Sequence, residues 1–200
     1  MAAGWTRIAY QTLENAGTLT ASWTGSYRQL KVLVGLSDAV NGNQLCFRFN
    51  DDAGQSYGQR TRTFSANQSS GEAAGTGTFI NTTENSYNSD EAIEMSIVNP
   101  VGNYPKLVYG HMAGEGSVHT NEPTCKEFCG KWKGGDQIVK ITCSLEFTVN
   151  IASGSTITVW GADDAPTTPV YPNLTNGTLF EESDTGKIYM WDGTNAWNEM

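Results

Sequence analysis

The chain has 200 residues, 38% of them hydrophobic, enough to bury one good core and a small satellite. A formal net charge of −9 on only 16% charged residues repels phosphate backbones and argues against nucleic-acid binding. No apolar run approaches the roughly twenty residues of a spanning helix, which argues against membrane insertion. The opening MAAGWTRIAYQTLENAG lacks a basic region followed by an apolar one, so no secretory signal is expected.

The 22 glycines, with abundant Thr, Ser and Asn, suit many short strands joined by tight turns. In chain order, Thr6–Leu13 and Thr18–Trp23 read as two strands about a Glu14–Gly17 hairpin turn. Leu30, Val32, Val34 and Leu36 alternate over LKVLVGL, the clearest core strand of the first half. Asn41-Gly42 supplies a hairpin turn, with Gln44–Asn50 as the partner strand. Asp51–Tyr57 is a polar loop, and Gln59–Phe64 returns as a strand. Ser65 to Asp90 reads as a long functional or partner-ordered loop carrying one short strand at Thr76–Asn81.

Glu91–Asn99 and Lys106–Met112 look like an antiparallel pair. Val139–Val149 and Ser155–Trp160 look like the last pair of the main domain, joined through Asn150–Gly154. Ile151 to Pro172 then marks a boundary: an alternating strand ends at Gly161, followed by two aspartates and by Pro166, Pro169 and Pro172, which favour an extended linker. The expected fold is all-β. Residues 1–162 form an antiparallel sandwich or jelly-roll-like domain of eight to ten strands. A Pro-rich linker (163–176) leads to a short aromatic β-hairpin module (177–200). That module has strand candidates at Thr178–Phe180, Lys187–Trp191 and Ala196–Glu199, with aromatics that must stack on each other or on a neighbour.

Four cysteines allow three fully paired arrangements. Cys46 lies on the face opposite Leu45, Phe47 and Phe49. Cys143 shares parity with Ile141, Leu145 and Phe147, and reads as a buried free thiol. Cys125 and Cys129 fall in a loop-like stretch. With His111 and His119 they form the sole metal-like cluster, a donor set suited to zinc. Its gaps of seven, five and three residues fit no standard zinc signature, and a Cys125–Cys129 disulfide or two free thiols is preferred. Asn50, Asp51, Asp52 and Gly54 offer oxygen ligands for calcium but read better as a turn. Asp163-Asp164 and Glu181-Glu182 read as solvated faces. Matches to Asn-x-Ser/Thr at Asn67, Asn81, Asn173 and Asn176 carry no weight without a secretory signal.

The strand order LKVLVGL, LCFRFNDDAGQSY, EAIEMSIVN, KLVYGH, CGKWKGGDQIVKITCSLE and IASGSTITVWG resembles a β-rich module of virion structural proteins of tailed phages and related archaeal viruses. Arg48, Phe49, Asn50, Asp51 and Gly54, the Gly130–Trp132 element and the closing GSTITVWG carry the likeness. LFEESDTGKIYMWDGTNAW is similar to a short hairpin appended to viral surface proteins. The resemblance implies assembly on a virion without secretion, with other capsid or tail proteins as partners and a homo-oligomeric state. No catalytic motif, phosphate loop or carboxylate pair in a recognisable setting points to an enzyme, and no cofactor is expected. The expected function is a capsid-associated decoration or turret subunit. The alternative is a tail fibre, receptor-binding subunit or carbohydrate-binding module, in which Tyr189, Trp191 and Trp197 would stack on a host-surface glycan.

Overall fold

The computed structural model describes residues 4–37, 45–64, 72–81, 91–114, 124–146, 150–162, 176–182, 186–193 and 197–200. It divides into two compact units, Trp5–Asp163 and a second holding Asp164–Met200 with Met1–Gly4. The proposed linker, except Asn176, lies outside the described residues, as do the Asn41-Gly42 turn and most of 65–90.

The larger unit is an antiparallel β-sandwich of twelve described strands. These are β1 (Thr6–Thr12), β2 (Leu19–Ser22), β3 (Gln29–Leu36), β4 (Leu45–Phe49), β5 (Tyr57–Phe64) and β6 (Glu72–Gly77). They continue as β7 (Ile80–Asn81), β8 (Glu91–Val98), β9 (Lys106–Gly114), β10 (Thr124–Trp132), β11 (Lys140–Leu145) and β12 (Thr156–Ala162). One sheet has eight strands in the order β1-β12-β3-β8-β9-β10-β5-β6, the other four in the order β2-β11-β4-β7. Alternation drives the layering, because successive side chains point to opposite faces. Leu30, Val32 and Val34 of β3 and Ile93, Met95 and Ile97 of β8 face inward. They pack in one core with Leu19, Phe47, Phe49 and Ile141 of the smaller sheet.

Three expected hairpins do not form. β1 and β2 lie in different sheets, with β1 on β12 and β2 on β11. The same holds for β3 and β4, and for β11 and β12. The connections cross the sandwich instead of turning back within one sheet, as in Greek-key arrangements. The pair β8 and β9 does form, in register from Glu91↔Gly114 to Val98↔Leu107. The stretch around Cys125 and Cys129, read as a loop, is the nine-residue strand β10, flanked by β9 and β5. Outward polar residues and Gly130 mask its alternation, and its partners decide it.

The C-terminal unit is a three-stranded sheet, β13 (Leu179–Glu182), β14 (Lys187–Trp191) and β15 (Trp197–Glu199), at the positions of the three strand candidates. Lys187 and Glu199 pair across it at 3.0 Å. Gly177 N–H donates to the Trp191 carbonyl, and Trp191 N–H to that of Thr178, extending the β13–β14 ladder at its open end.

Candidate functional site

At one end of the sandwich a polar lock ties the two sheets. Asn50 and Asp51 adopt left-handed φ of 51° and 59°, conformations that Asx side chains tolerate. Asn50 Nδ2 donates to the Gln137 carbonyl at 2.8 Å, and its Oδ1 accepts from the Val139 and Lys140 N–H groups. Asp51 pairs with Lys140 at 2.7 Å. Asp52 accepts from Gly54 N–H at 2.8 Å and from Trp132 Nε1 at 2.7 Å. The Trp132 bond, helped by Gly54, holds the Asp52 carboxyl below its usual range. The carboxylates considered for calcium are therefore occupied by a turn, an indole and a lysine.

Lys106 completes the lock. Its buried ammonium donates to the carbonyls of Gly102, Gly134 and Gly135 at 3.2, 2.9 and 3.2 Å and lies 5.4 Å from the Trp132 ring centroid. Burial lowers its pKa, opposed by Asp136. Beside it, Asn99 is fully buried, donates to the Tyr27 and Ile138 carbonyls and accepts from Ile138 N–H. This constellation uses its charges to hold itself together. Asn50, Asp51 and Trp132 serve here as architecture.

Of the less-favoured zinc donor set, the three described members, His111, Cys125 and Cys129, lie on neighbouring strands without converging. His111 stands on β9 opposite Glu127 of β10, and Cys125 and Cys129 flank Glu127. His119 lies outside the described residues. Four residues along a strand set the two cysteines about 13 Å apart, beyond the ~7 Å Cα limit of a disulfide. Both are free and exposed. Among the described residues no group of three or more His, Cys, Asp or Glu is placed to hold a metal. Cys46 and Cys143 are buried thiols outside any disulfide, as parity predicted for Cys143. Burial pushes the Cys46 thiol up to about 12 and that of Cys143 well above its ordinary value.

The aromatic platform of the terminal module is also incomplete. Trp191 is only 4% exposed, so its ring is not offered to solvent. Tyr189 is half-buried. Trp197 is the register partner of Trp191, and its side chain lies outside the description.

What the sequence reading missed is the outer face of the eight-stranded sheet. Along β9 the outward residues are Leu107, Tyr109, His111 and Ala113, and along β8 they are Ala92, Glu94, Ser96 and Val98. At the locked end Trp5, Val98, Leu107 and Tyr109 are exposed around an apolar hollow of about 230 Å³. At the other end a groove of about 620 Å³ crosses the strands over Gly35, Ala92 and Ala113. One ladder row of its wall runs Leu33, Glu94, His111, Glu127. The available signal was that KLVYGH is apolar on both parities, which a strand with a freely solvated outer face does not need.

No family model matches the chain. No curated protein matches it significantly either.

Proposed function

We propose that the chain is a structural subunit of a virus-particle surface, a decoration or turret protein docked on the capsid, working through protein–protein contacts. The observation that carries the reading is the apolar end of the outer face. Trp5, Val98, Leu107 and Tyr109 stand in water around a shallow hollow, on a sheet whose geometry is fixed from behind by the Asn50–Lys106–Trp132 lock. Contiguous exposed apolar surface on a rigid support is what a docking interface requires. The likeness of strand order to virion modules supports the particle setting. The net charge of −9 keeps the free subunit soluble and limits premature association.

The test is co-sedimentation of the labelled chain with particles of the virus that encodes it, prepared without the chain. Saturable loading at a copy number matching capsid symmetry is expected, and Leu107→Asp should abolish it. A chain that stays in the supernatant, or that binds host cells and not capsids, overturns the decoration reading.

A further inference from the structure

The groove at the free end of the outer face shares no lining residue with the apolar end used above, which it meets at the edge-on Tyr109–His111 ring contact of 4.8 Å, and its chemistry differs. We propose that it is a binding site for a neutral carbohydrate chain lying across the strands. Its lining comes from five adjacent strands, β12, β3, β8, β9 and β10, so at ~4.8 Å per strand it runs about 19 Å across the sheet. That length and a volume of about 620 Å³ suit an extended ligand.

Charge selects the class. Glu94 is held by Lys31 at 2.6 Å, and Glu127 has Arg62 as its register partner on β5. His111 stands between the two carboxylates in the same ladder row. Each carboxylate thus has a cation beside it, Lys31 for Glu94 and Arg62 for Glu127, so the strip carries no excess charge for a neutral ligand to desolvate. A polyphosphate, an acidic glycan or a basic peptide would each find its charge half-matched and half-opposed.

The wall also pairs hydrogen-bonding groups with apolar ones. Thr156, Thr158, Glu94, His111 and Glu127 offer hydroxyl, imidazole and carboxylate partners. Leu33 and the small side chains of Ala92 and Ala113 offer flat apolar contact. A sugar ring presents that same combination, polar edges around apolar C–H faces. Tyr10, in the ladder row of Thr158 and Leu33, is 56% exposed. Its hydroxyl and Thr12 share a 2.6 Å bond and the Arg7 guanidinium lies 5.6 Å from its centroid, which places an exposed aromatic ring one strand beyond the groove's lining.

The geometry disfavours other occupants. β3, β8 and β9 are interior strands with hydrogen-bonded neighbours on both sides, so no free backbone edge is offered for a peptide to add as a strand. A concave trough is not filled by the flat sheet face of a second copy.

The test uses the full-length chain and a panel of neutral oligosaccharides (gluco-, xylo-, manno- and galacto-hexaoses) in isothermal titration, with heparin as the charged comparator. At least one neutral member is expected to bind. Ala113→Trp, which fills the trough at an exposed position, should abolish that binding with circular dichroism unchanged. His111→Ala should weaken it about three- to tenfold, and Leu107→Ala at the apolar end should leave it alone. Silence across the neutral panel, binding of heparin alone, or affinity that survives both Ala113→Trp and His111→Ala overturns the proposal. Failure of capsid docking in the previous experiment would leave these results standing, and the reverse also holds.

Discussion

Glu91 gives the most decisive test of the interior. It begins β8 on the inward face, is 5% exposed, and its Oε2 has no hydrogen-bond partner among the described residues. Burial pushes its pKa from 4.5 up to about 7, with the nearby Lys126 charge pulling the other way. A carboxyl raised on folding binds its proton more tightly in the native state than in the unfolded one. The stability it contributes is therefore fully present below pH 4.5 and is lost as pH rises towards 7. A rise of about 2.5 units corresponds to roughly 3 kcal/mol lost across that window. Glu91→Gln keeps the shape and removes the titration. Urea unfolding of both proteins from pH 4.5 to 8 isolates the effect, because every other titrating group cancels in the difference. The wild type is expected to lose about 3 kcal/mol relative to the variant over that interval. A difference that stays flat with pH would refute the reasoning, and one of opposite slope would show that Lys126 wins over burial.

Three further outcomes test the rest of the architecture. A Cβ on Gly134 would sit 1.9 Å from the Trp132 ring, so Gly134→Ala must lift the indole off Asp52 and Lys106; a loss of about 2 kcal/mol in urea unfolding is expected, with red-shifted tryptophan emission. Asn99→Ala removes three hydrogen bonds from a fully buried site and should cost about 3 kcal/mol by the same assay; a change under ~0.5 kcal/mol would remove Asn99 from the lock. An aromatic disulfide reagent should label Cys125 and Cys129 at once and Cys46 and Cys143 only in denaturant, and mild oxidation should form no Cys125–Cys129 bridge within one chain.

The inward residues of β3, β8 and β9 were legible because alternation has a period of two whichever strand lies alongside. Sheet membership was not. Leu19, Phe47 and Ile141 alternate just as Leu30 and Ile93 do, and nothing local says that β2, β4 and β11 belong across the core from β3 and β8. β10 was missed because Thr124–Trp132 carries its apolar signal only at Phe128 and Trp132, with the aliphatic stem of Lys126 standing in for a third inward residue. The Asx turn at Asp52 was readable from Asn-Asp-Asp-x-Gly. Its bond to Trp132, eighty residues on, was not. The groove is a property of register: Gly35, Ala92 and Ala113 are small residues on three strands that become one floor only when paired.

The outer face then divides along its strands according to what each end costs in water. At the locked end Val98 and Leu107 are direct register partners, each more than half exposed, with no polar neighbour between them in that pair. Covering such a pair recovers about 25 cal/mol per Å² of apolar area, a gain available to any partner of matching shape. At the groove end the outward row Glu94, His111, Glu127 runs beside the row of small residues Gly35, Ala92 and Ala113, and a dry protein surface pressed on it would have to desolvate both carboxylates. A hydroxyl-bearing ligand replaces that lost water with its own hydrogen bonds. One sheet thus presents an end that favours a protein partner and an end that favours a polyol, about six residues of strand apart. Leu107→Asp and Ala113→Trp on the same strand β9 should separate the two without disturbing the core beneath.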